Sequence, residues 1–382
     1  MKADIRYFLI IIFLITFPKV AFGNNQIKIG LLAPFTGEFE NIGKSIISSA
    51  RIALNKINND NISIFPRDTK GNNLETLKQV EELYTQGVRI FIGPVFNKNL
   101  KGLEKFKDAY FLSLTNKILN NPKNVISAGI NARSQFNAIK KYQKLNELEK
   151  TLVLIPKKDY KEEIEHAIKE TRLKAKKVFY YDTEPTKLTK QIEKVTKYRI
   201  RKQNLEDEIS RIENSNEDNK EKKLENLNKK DTLGKIGYDS VIIADFDESF
   251  KSVVTSLLYT DVSPKNKFII TLNQWFDESL LKEKNLQPIY YPSINKQNLD
   301  AFTDKFFEKF NYKPNYLSLL SYDLIGLIYY LSLKNEALEI SKSFKTQNTF
   351  KGKIGIFKIK DNKINHQLNF YEIKNGKLKE IF

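Results

Sequence analysis

Histidine and cysteine, the side chains most used for nucleophilic, acid–base and metal chemistry near neutral pH, are nearly missing: the chain has two histidines and no cysteine. His166 lies in a run of mixed charge and His366 in a hairpin-like run. Neither has a Ser or Asp partner at recognisable spacing, so triad chemistry and histidine metal sites lack material. Disulfides and thiolate sites are excluded outright. No GxxxxGK[ST] and no GxGxxG follows any strand-like run. Glu162 and Glu163 are adjacent carboxylates, but they sit on a lysine-rich helical run and read as solvated charges, because an acid/base pair needs burial to separate its two pKa values. These features point away from an enzyme and imply neither cofactor nor metal.

The remaining candidates are polar and aromatic residues that follow apolar runs. In parallel α/β folds, ligands sit beyond the carboxyl ends of strands, where loops lead into helix N-termini whose free N–H groups attract anions. Thr36 and Gly37, Asn97 after Gly93-Pro94, and Ser113, Thr115 and Asn116 all occupy such loops, and Trp275, the only tryptophan, follows another strand end. Each has a plainer reading. Thr36-Gly37 can be a tight strand-to-helix turn, Gly93-Pro94 a strand terminator, and Trp275 a core residue rather than a stacking face. Arg133, in the 129–140 stretch, can be an exposed helix-start residue or the partner of a carboxylate.

The elements that would position these residues recur as strand, loop and helix. Residues 27–32 form an apolar run of buried-strand type, and Ile46, Ala50, Ala53, Leu54 and Ile57 follow at helical spacing. Further strands are expected at 62–65, 88–92, 110–112, 125–128, 152–155, 178–181, 241–244 and 268–272. This alternation argues for parallel sheets covered on both faces, with too many strands for one small sheet and enough for two. Runs at 354–359 and 368–373, with the Asn375-Gly376 turn, read as antiparallel hairpins. Tyr322 and Asp323 fall on an apolar helix, 317–333, where their polar tips could reach a hinge.

The composition fits such a protein. With 382 residues and 41% hydrophobic content, the chain can bury two domain cores. The net charge of +18 could meet an acidic partner, but lysine is spread over ordinary helices and no compact arginine-aromatic patch marks nucleic acid. Lys2 and Arg6 precede an apolar run over 7–17, then Pro18 and Ala21-Phe22-Gly23, the pattern of a signal peptide (1–23) cleaved before Asn24. That run is about half the roughly 20 apolar residues needed to span a membrane. With no cysteine after it, no lipid anchor is expected, and the mature chain should be free in the periplasm. Between 186 and 236 the rhythm breaks into dense mixed charge with Val195, Tyr198, Leu205, Ile209 and Ile212 near an a/d seam. This reads as a helical hairpin, either a solvated excursion or a docking arm.

The string IKIGLLAPFTGEFENIGKSIISSARIALNKI, followed by RDTKGN, QGVRIFIGP and GYDSVIIADF, resembles the type I periplasmic binding proteins of the leucine-binding-protein-like family. LSLTN at 112–116, the charged insertion, LNQW at 272–275, SYDLIGL around Asp323 and FKGKIGIFKIKDN look closer to one branch, the penicillin-binding-protein activators. The resemblance implies two Rossmann-like α/β lobes with parallel central sheets, joined by a three-crossover hinge. It places 26–135 and 273–335 in lobe 1 and 136–272 and 336–382 in lobe 2. It implies a non-catalytic receptor that takes a small polar solute, such as an amino acid, in the interlobe cleft and delivers it to the membrane subunits of an ABC-type importer. The alternative is a regulator that binds a peptidoglycan synthase.

Asn97 falls where amino-acid-binding relatives place a ligand-contacting Ser, and Ser113 to Asn116 where they hold the α-carboxylate. Those relatives hold the α-ammonium with an acid shortly after the next strand. Here 129–140 contains Arg133 and no acid, which puts a free amino acid in the usual pose in doubt.

Overall fold

The computed structural model describes residues 26–272, 275–334, 343–344 and 347–382; the expected signal peptide lies outside them. The chain begins with β1 (Ile27–Ala33), α1 (Glu40–Ile57), β2 (Ile62–Asp68), α2 (Asn73–Thr85), β3 (Ile90–Ile92), β4 (Tyr110–Ser113) and β5 (Val125–Ser127). Next come α3 (Ala132–Leu145), β6 (Thr151–Pro156), α4 (Lys161–Thr171), β7 (Lys177–Tyr181) and α5 (Pro185–Thr196). Two further helices, α6 (Tyr198–Glu213) and α7 (Lys220–Asn228), precede β8 (Ser240–Ile243), α8 (Asp247–Tyr259), β9 (Phe268–Thr271), α9 (Ser279–Lys282) and β10 (Ile289–Ser293). The chain then runs through α10 (Lys296–Phe310), α11 (Leu317–Lys334), β11 (Asn348–Lys351), β12 (Ile356–Lys360), β13 (Lys363–Gln367), β14 (Asn369–Lys374) and β15 (Lys377–Glu380).

One sheet has the order β11-β12-β13-β5-β4-β3-β1-β2 and the other β15-β14-β10-β9-β8-β6-β7. The βα strands of each sheet pair in parallel, and the C-terminal strands add antiparallel edges. Every residue of β6, β8 and β10 is buried, as expected for strands covered on both faces. Pro66, which cannot donate to a ladder, falls on β2, an edge strand. The Asn375-Gly376 turn, with φ of 53° and 71°, closes the β14–β15 hairpin in the positive-φ geometry that Asn-Gly favours.

The lobe boundaries differ from the sequence expectation. β10, within the 273–335 segment assigned to lobe 1, lies in the second sheet between β9 and β14. β11, β12 and β13, within the 336–382 segment assigned to lobe 2, extend the first sheet beside β5. The reason is local: Ile289 and Tyr290 pair in register with Ile269 and Ile270, which continues the parallel sheet of lobe 2 by one strand before the chain leaves it. The chain therefore crosses between sheets three times, at 128–131, at 294–295 and at residue 368. The first and third crossings are bonded to each other. Asn131 Nδ2 donates to Ile364 O at 2.7 Å, Ser134 Oγ accepts from His366 N at 2.9 Å, and the buried His366 ring contacts Ala128 O at 2.8 Å. Asp323 does not reach this hinge. Its two oxygens accept from Lys353 N and Ile354 N, tying α11 to the loop between β11 and β12 within lobe 1.

α11 is apolar around most of its circumference and buries Leu320, Leu324, Ile325 and Ile328, the pattern of a helix inside a large core. Among the described residues no helix is long and apolar enough to cross a membrane. Small residues on α1 let these two helices close on each other, with Ser49 Oγ donating to Ser318 O at 2.5 Å. Gly43, also on α1, lies against the loop after β1: a Cβ there would stand 2.0 Å from Pro34 O. Gly43→Ala is expected to destabilise the protein by about 1–2 kcal/mol, since overpacking against a backbone oxygen falls in the upper part of the range of about 1–3 kcal/mol, at about 2–3, and improved helix propensity returns about 1. Thermal denaturation checks this; an unchanged or raised Tm would contradict the close approach.

The 186–236 segment also divides differently. α5 is part of lobe 2, burying Leu188, Ile192 and Val195 in the main core against α8. Only α6 and α7 form the projecting hairpin, which has its own small core of Leu205, Ile212 and Leu227.

Candidate ligand cleft

Three loops of lobe 1 meet one loop of lobe 2 at the carboxyl ends of their strands. The loop after β3 brings Phe96 and Asn97, that after β4 brings Thr115, Asn116 and Lys117, the first crossing brings Gly129, and the loop after β9 brings Trp275. Together with Leu317 and Leu320 at the start of α11 they enclose a cavity of ≈ 310 Å³. The first crossing can come this close because Gly129 has no side chain. A Cβ there would lie 2.6 Å from Thr115 O, and Gly129 N donates to that oxygen at 3.0 Å.

The polar side chains differ in how free they are. Asn97 Nδ2 donates to Asn121 Oδ1 at 3.0 Å, and Asn121 in turn donates to Lys117 O and Ser127 Oγ, which fixes both loops. Thr115 Oγ1 accepts from Lys117 N at 3.2 Å. The side chains of Asn116 and Lys117 make no hydrogen bond or ion pair with a described residue and are available to a ligand. Trp275, half-buried, stacks on Tyr316 with ring centroids 5.3 Å apart and 5° between planes. Tyr316 is held by donation to Phe276 O, and burial pushes its hydroxyl pKa up.

Asn97, Thr115, Asn116 and Trp275 thus surround one cavity, whereas Thr36, Gly37, Ser113 and Arg133 do not line it. Thr36 Oγ1 donates to Asp68 at 2.5 Å. Burial raises the pKa of Asp68, but that bond and donations from Lys70 N and Phe35 N outweigh it and leave the carboxyl below its ordinary value. Gly37, at φ 83°, completes the turn. Ser113 is fully buried, its hydroxyl donating to Pro94 O at 2.7 Å. Arg133 pairs with Glu170 of α4 at 3.2 Å.

Two acidic residues in lobe 2 have structural roles that the sequence reading did not assign. Asp245, at the carboxyl end of β8, is fully buried and accepts from Lys158 (2.7 Å), Tyr160, Tyr181 (2.7 Å), Ser249 (2.6 Å) and Phe246 N. Burial raises its pKa, but the donors led by Lys158 and Ser249 lower it further, so the net shift is downward. This network locks together the carboxyl ends of β6, β7 and β8. The sequence signal was an acid directly after the four apolar residues 241–244, a position where a charge must be paired.

Glu163 corrects the expectation of solvated charges. It is 9% exposed, and its Oε1 accepts from Ile118 N at 2.9 Å and Leu119 N at 2.8 Å, joining α4 of lobe 2 to the loop after β4 in lobe 1. Glu162 is exposed as expected. The bond lies beside a wider vestibule of ≈ 930 Å³ between the lobes, which shares Asn97 and Lys117 with the inner cavity.

Two α/β lobes joined by three crossings, with a cavity at facing strand ends, define the type I periplasmic binding protein fold. Residues 26–187, which cover lobe 1's opening strands and run into lobe 2, match the family described as periplasmic binding protein. The chain is similar to the C-domain of LpoA (YraM) from Haemophilus influenzae, a regulator of PBP1A, with 15% identity and a TM-score of 0.61 over 93% of this chain and 100% of that one. It is also similar to an ABC transporter substrate-binding protein from Desulfitobacterium hafniense solved with Leu (12% identity, TM-score 0.61, 93% and 99% covered). A third similar structure is a solute binding protein of an ABC transporter from Rhodopseudomonas palustris in complex with 3,4-dihydroxy benzoic acid (13% identity, TM-score 0.57, 93% and 95% covered). No curated protein sequence matches the chain significantly.

Proposed function

We propose that the chain is a non-catalytic receptor of the periplasm that captures a small carboxylate with an apolar or aromatic body and presents it to an ABC-type importer. The observation that supports this is the composition of the inner cavity. Trp275 and Phe96 offer ring faces, Thr115, Asn116 and Lys117 offer donors and one cation, and no described lining residue is an acid. A carboxylate would meet Lys117, whereas the ammonium of a free amino acid would be buried without a counter-charge, which is costly. The D. hafniense and R. palustris proteins, solved with Leu and with an aromatic acid, show that this fold accommodates ligands of both kinds. Binding couples to closure because the ligand touches both lobes only when they meet.

A thermal-shift screen of hydroxybenzoates, short branched acids and the aliphatic amino acids tests this reading. A ligand at about 100 times its Kd adds about 2.7 kcal/mol of stability. The expected result is a shift with a carboxylate that lacks an ammonium group, abolished in Trp275→Ala and Lys117→Ala. A shift with leucine that survives Lys117→Ala would contradict it.

The second reading, a regulator that binds a peptidoglycan synthase, is favoured by one specific observation: α6 and α7 project from lobe 2 as a charged hairpin with a minimal core of their own. The likeness to the LpoA C-domain over that domain's whole length supports it.

A further inference from the structure

A second cavity, of ≈ 760 Å³, lies within lobe 1 and shares no lining residue with the cleft or its vestibule. It is framed by the C-terminal end of α1, the middle of α11 and the β11–β12 hairpin. Its walls are aromatic. Tyr330 meets Phe350 edge-on at 5.3 Å between centroids, Phe350 lies 5.8 Å from Phe357, and Tyr322 packs against Phe302 behind the wall. Around these rings stand Lys56, Lys351 and Lys353, none of which pairs with a carboxylate of a described residue within ion-pair distance.

The one acid among the described lining residues does not cancel this charge. Asp323 is buried, both its oxygens already accept backbone N–H groups of Lys353 and Ile354, and burial pushes its pKa up to about 6. Its position is set by the hairpin: Gly352 packs so closely on it that a Cβ would stand 2.2 Å from its Oδ2. These contacts hold the floor of the cavity in place, and Lys56 and Lys351 are exposed.

We propose that this cavity is a binding site for an acidic saccharide, a sugar ring that carries a carboxylate. Ring faces on the wall match the apolar C–H face of a sugar, the Asn298 side chain at the margin and Tyr hydroxyls match its hydroxyl groups, and the three lysines match its carboxylate. A neutral sugar would leave the lysines unmet and a simple inorganic anion would leave the rings unmet. An acidic peptide is the competing occupant, because β11 is the outer strand of its sheet and could pair with an added strand.

Isothermal titration of the mature protein with trigalacturonate tests the proposal. The expected result is saturable binding that weakens at least tenfold in the triple variant Lys56→Ala, Lys351→Ala, Lys353→Ala and is unchanged in Trp275→Ala. Lys56 and Lys351 are exposed and Lys353 is half-buried, so circular dichroism should show the triple variant folded; if it does not, the single variant Lys351→Ala is titrated instead, with at least a twofold loss expected. Maltotriose and triglutamate serve as probes of rings without charge and of charge on a peptide. Absence of binding at millimolar trigalacturonate, equal binding by the lysine variants, equal binding of maltotriose, displacement by triglutamate, or loss in Trp275→Ala would each overturn the site. Co-sedimentation with cross-linked polygalacturonate distinguishes a polymer-borne from a free sugar acid. Sedimentation without trigalacturonate binding would reduce the effect to bulk charge and also overturn the proposal.

Discussion

Replacing Glu163 by alanine is expected to release the two lobes from each other. In the present structure one carboxylate oxygen accepts the backbone N–H groups of both Ile118 and Leu119 across the mouth of the cleft. A hydrogen bond to a charged group contributes about 1.5–3 kcal/mol, and removing the acceptor leaves two donors that water must reach. Losing about 2–3 kcal/mol from the closed arrangement lowers its population by about 30- to 150-fold relative to the open one. Small-angle scattering should record a larger radius of gyration for Glu163→Ala, and hydrogen exchange at Ile118 and Leu119 should accelerate by a similar factor. Glu163→Gln keeps an acceptor of the same shape without the charge and should fall between. If neither the radius nor the exchange of these two amides changes, Glu163 is not a closure contact. Because the test needs no ligand, it separates the mechanics of closure from the identity of what is bound.

Glu163 also shows where reading the sequence runs out. The residue lies on a helix dense in lysine and glutamate, and nothing within ten positions distinguishes it from Glu162. Its burial is decided by a loop 45 residues earlier in the chain. The parallel strands were legible because burial on both faces demands continuous apolar runs, as in β6 and β8. The β14–β15 turn was legible because few residue pairs other than Asn-Gly accept its geometry.

Lobe membership was not legible at the C-terminal end. β10 and β13 have the local pattern of any buried or half-buried strand, and which sheet each joins is settled by pairing with β9 and β5, far away in sequence. Within the cleft, Asn97, Thr115, Asn116 and Trp275 could be picked out because they follow strand ends, and Lys117 sits one residue beyond. Position at a strand end did not separate Asn116, which is free, from Ser113, whose hydroxyl is already donated to Pro94 O.

The projecting hairpin is tied to lobe 2 through Arg201, near the start of α6. Its guanidinium is 5% exposed and donates to Thr196 O at 3.1 Å, to Thr232 Oγ1 at 2.7 Å and to Thr260 O, with Asp261 3.6 Å away. It thereby joins the end of α5, the segment that follows α7 and the end of α8. Burial lowers its pKa while Asp261 opposes the shift. Arg201→Ala leaves the carbonyls of Thr196 and Thr260 without this donor, while Asp261, partly exposed, keeps its bond from Thr232 Oγ1, and the loss of a hydrogen bond to a charged group costs about 1.5–3 kcal/mol. The melting temperature of the variant should fall accordingly, and Arg201→Lys, which keeps the charge but cannot span three acceptors, should recover only part of the loss. Replacing residues 202–231 by a short Gly-Ser linker is expected to do far less. Leu233 N donates to Arg201 O at 2.9 Å, so the ends already meet, and the removed apolar contacts are mostly those of the hairpin with itself. A linker variant that melts like the intact protein, binds the same small carboxylate and no longer captures a peptidoglycan synthase would establish the hairpin as a docking arm. One that unfolds lobe 2 would show that the hairpin is structural, and one that keeps every partner would leave the importer reading alone.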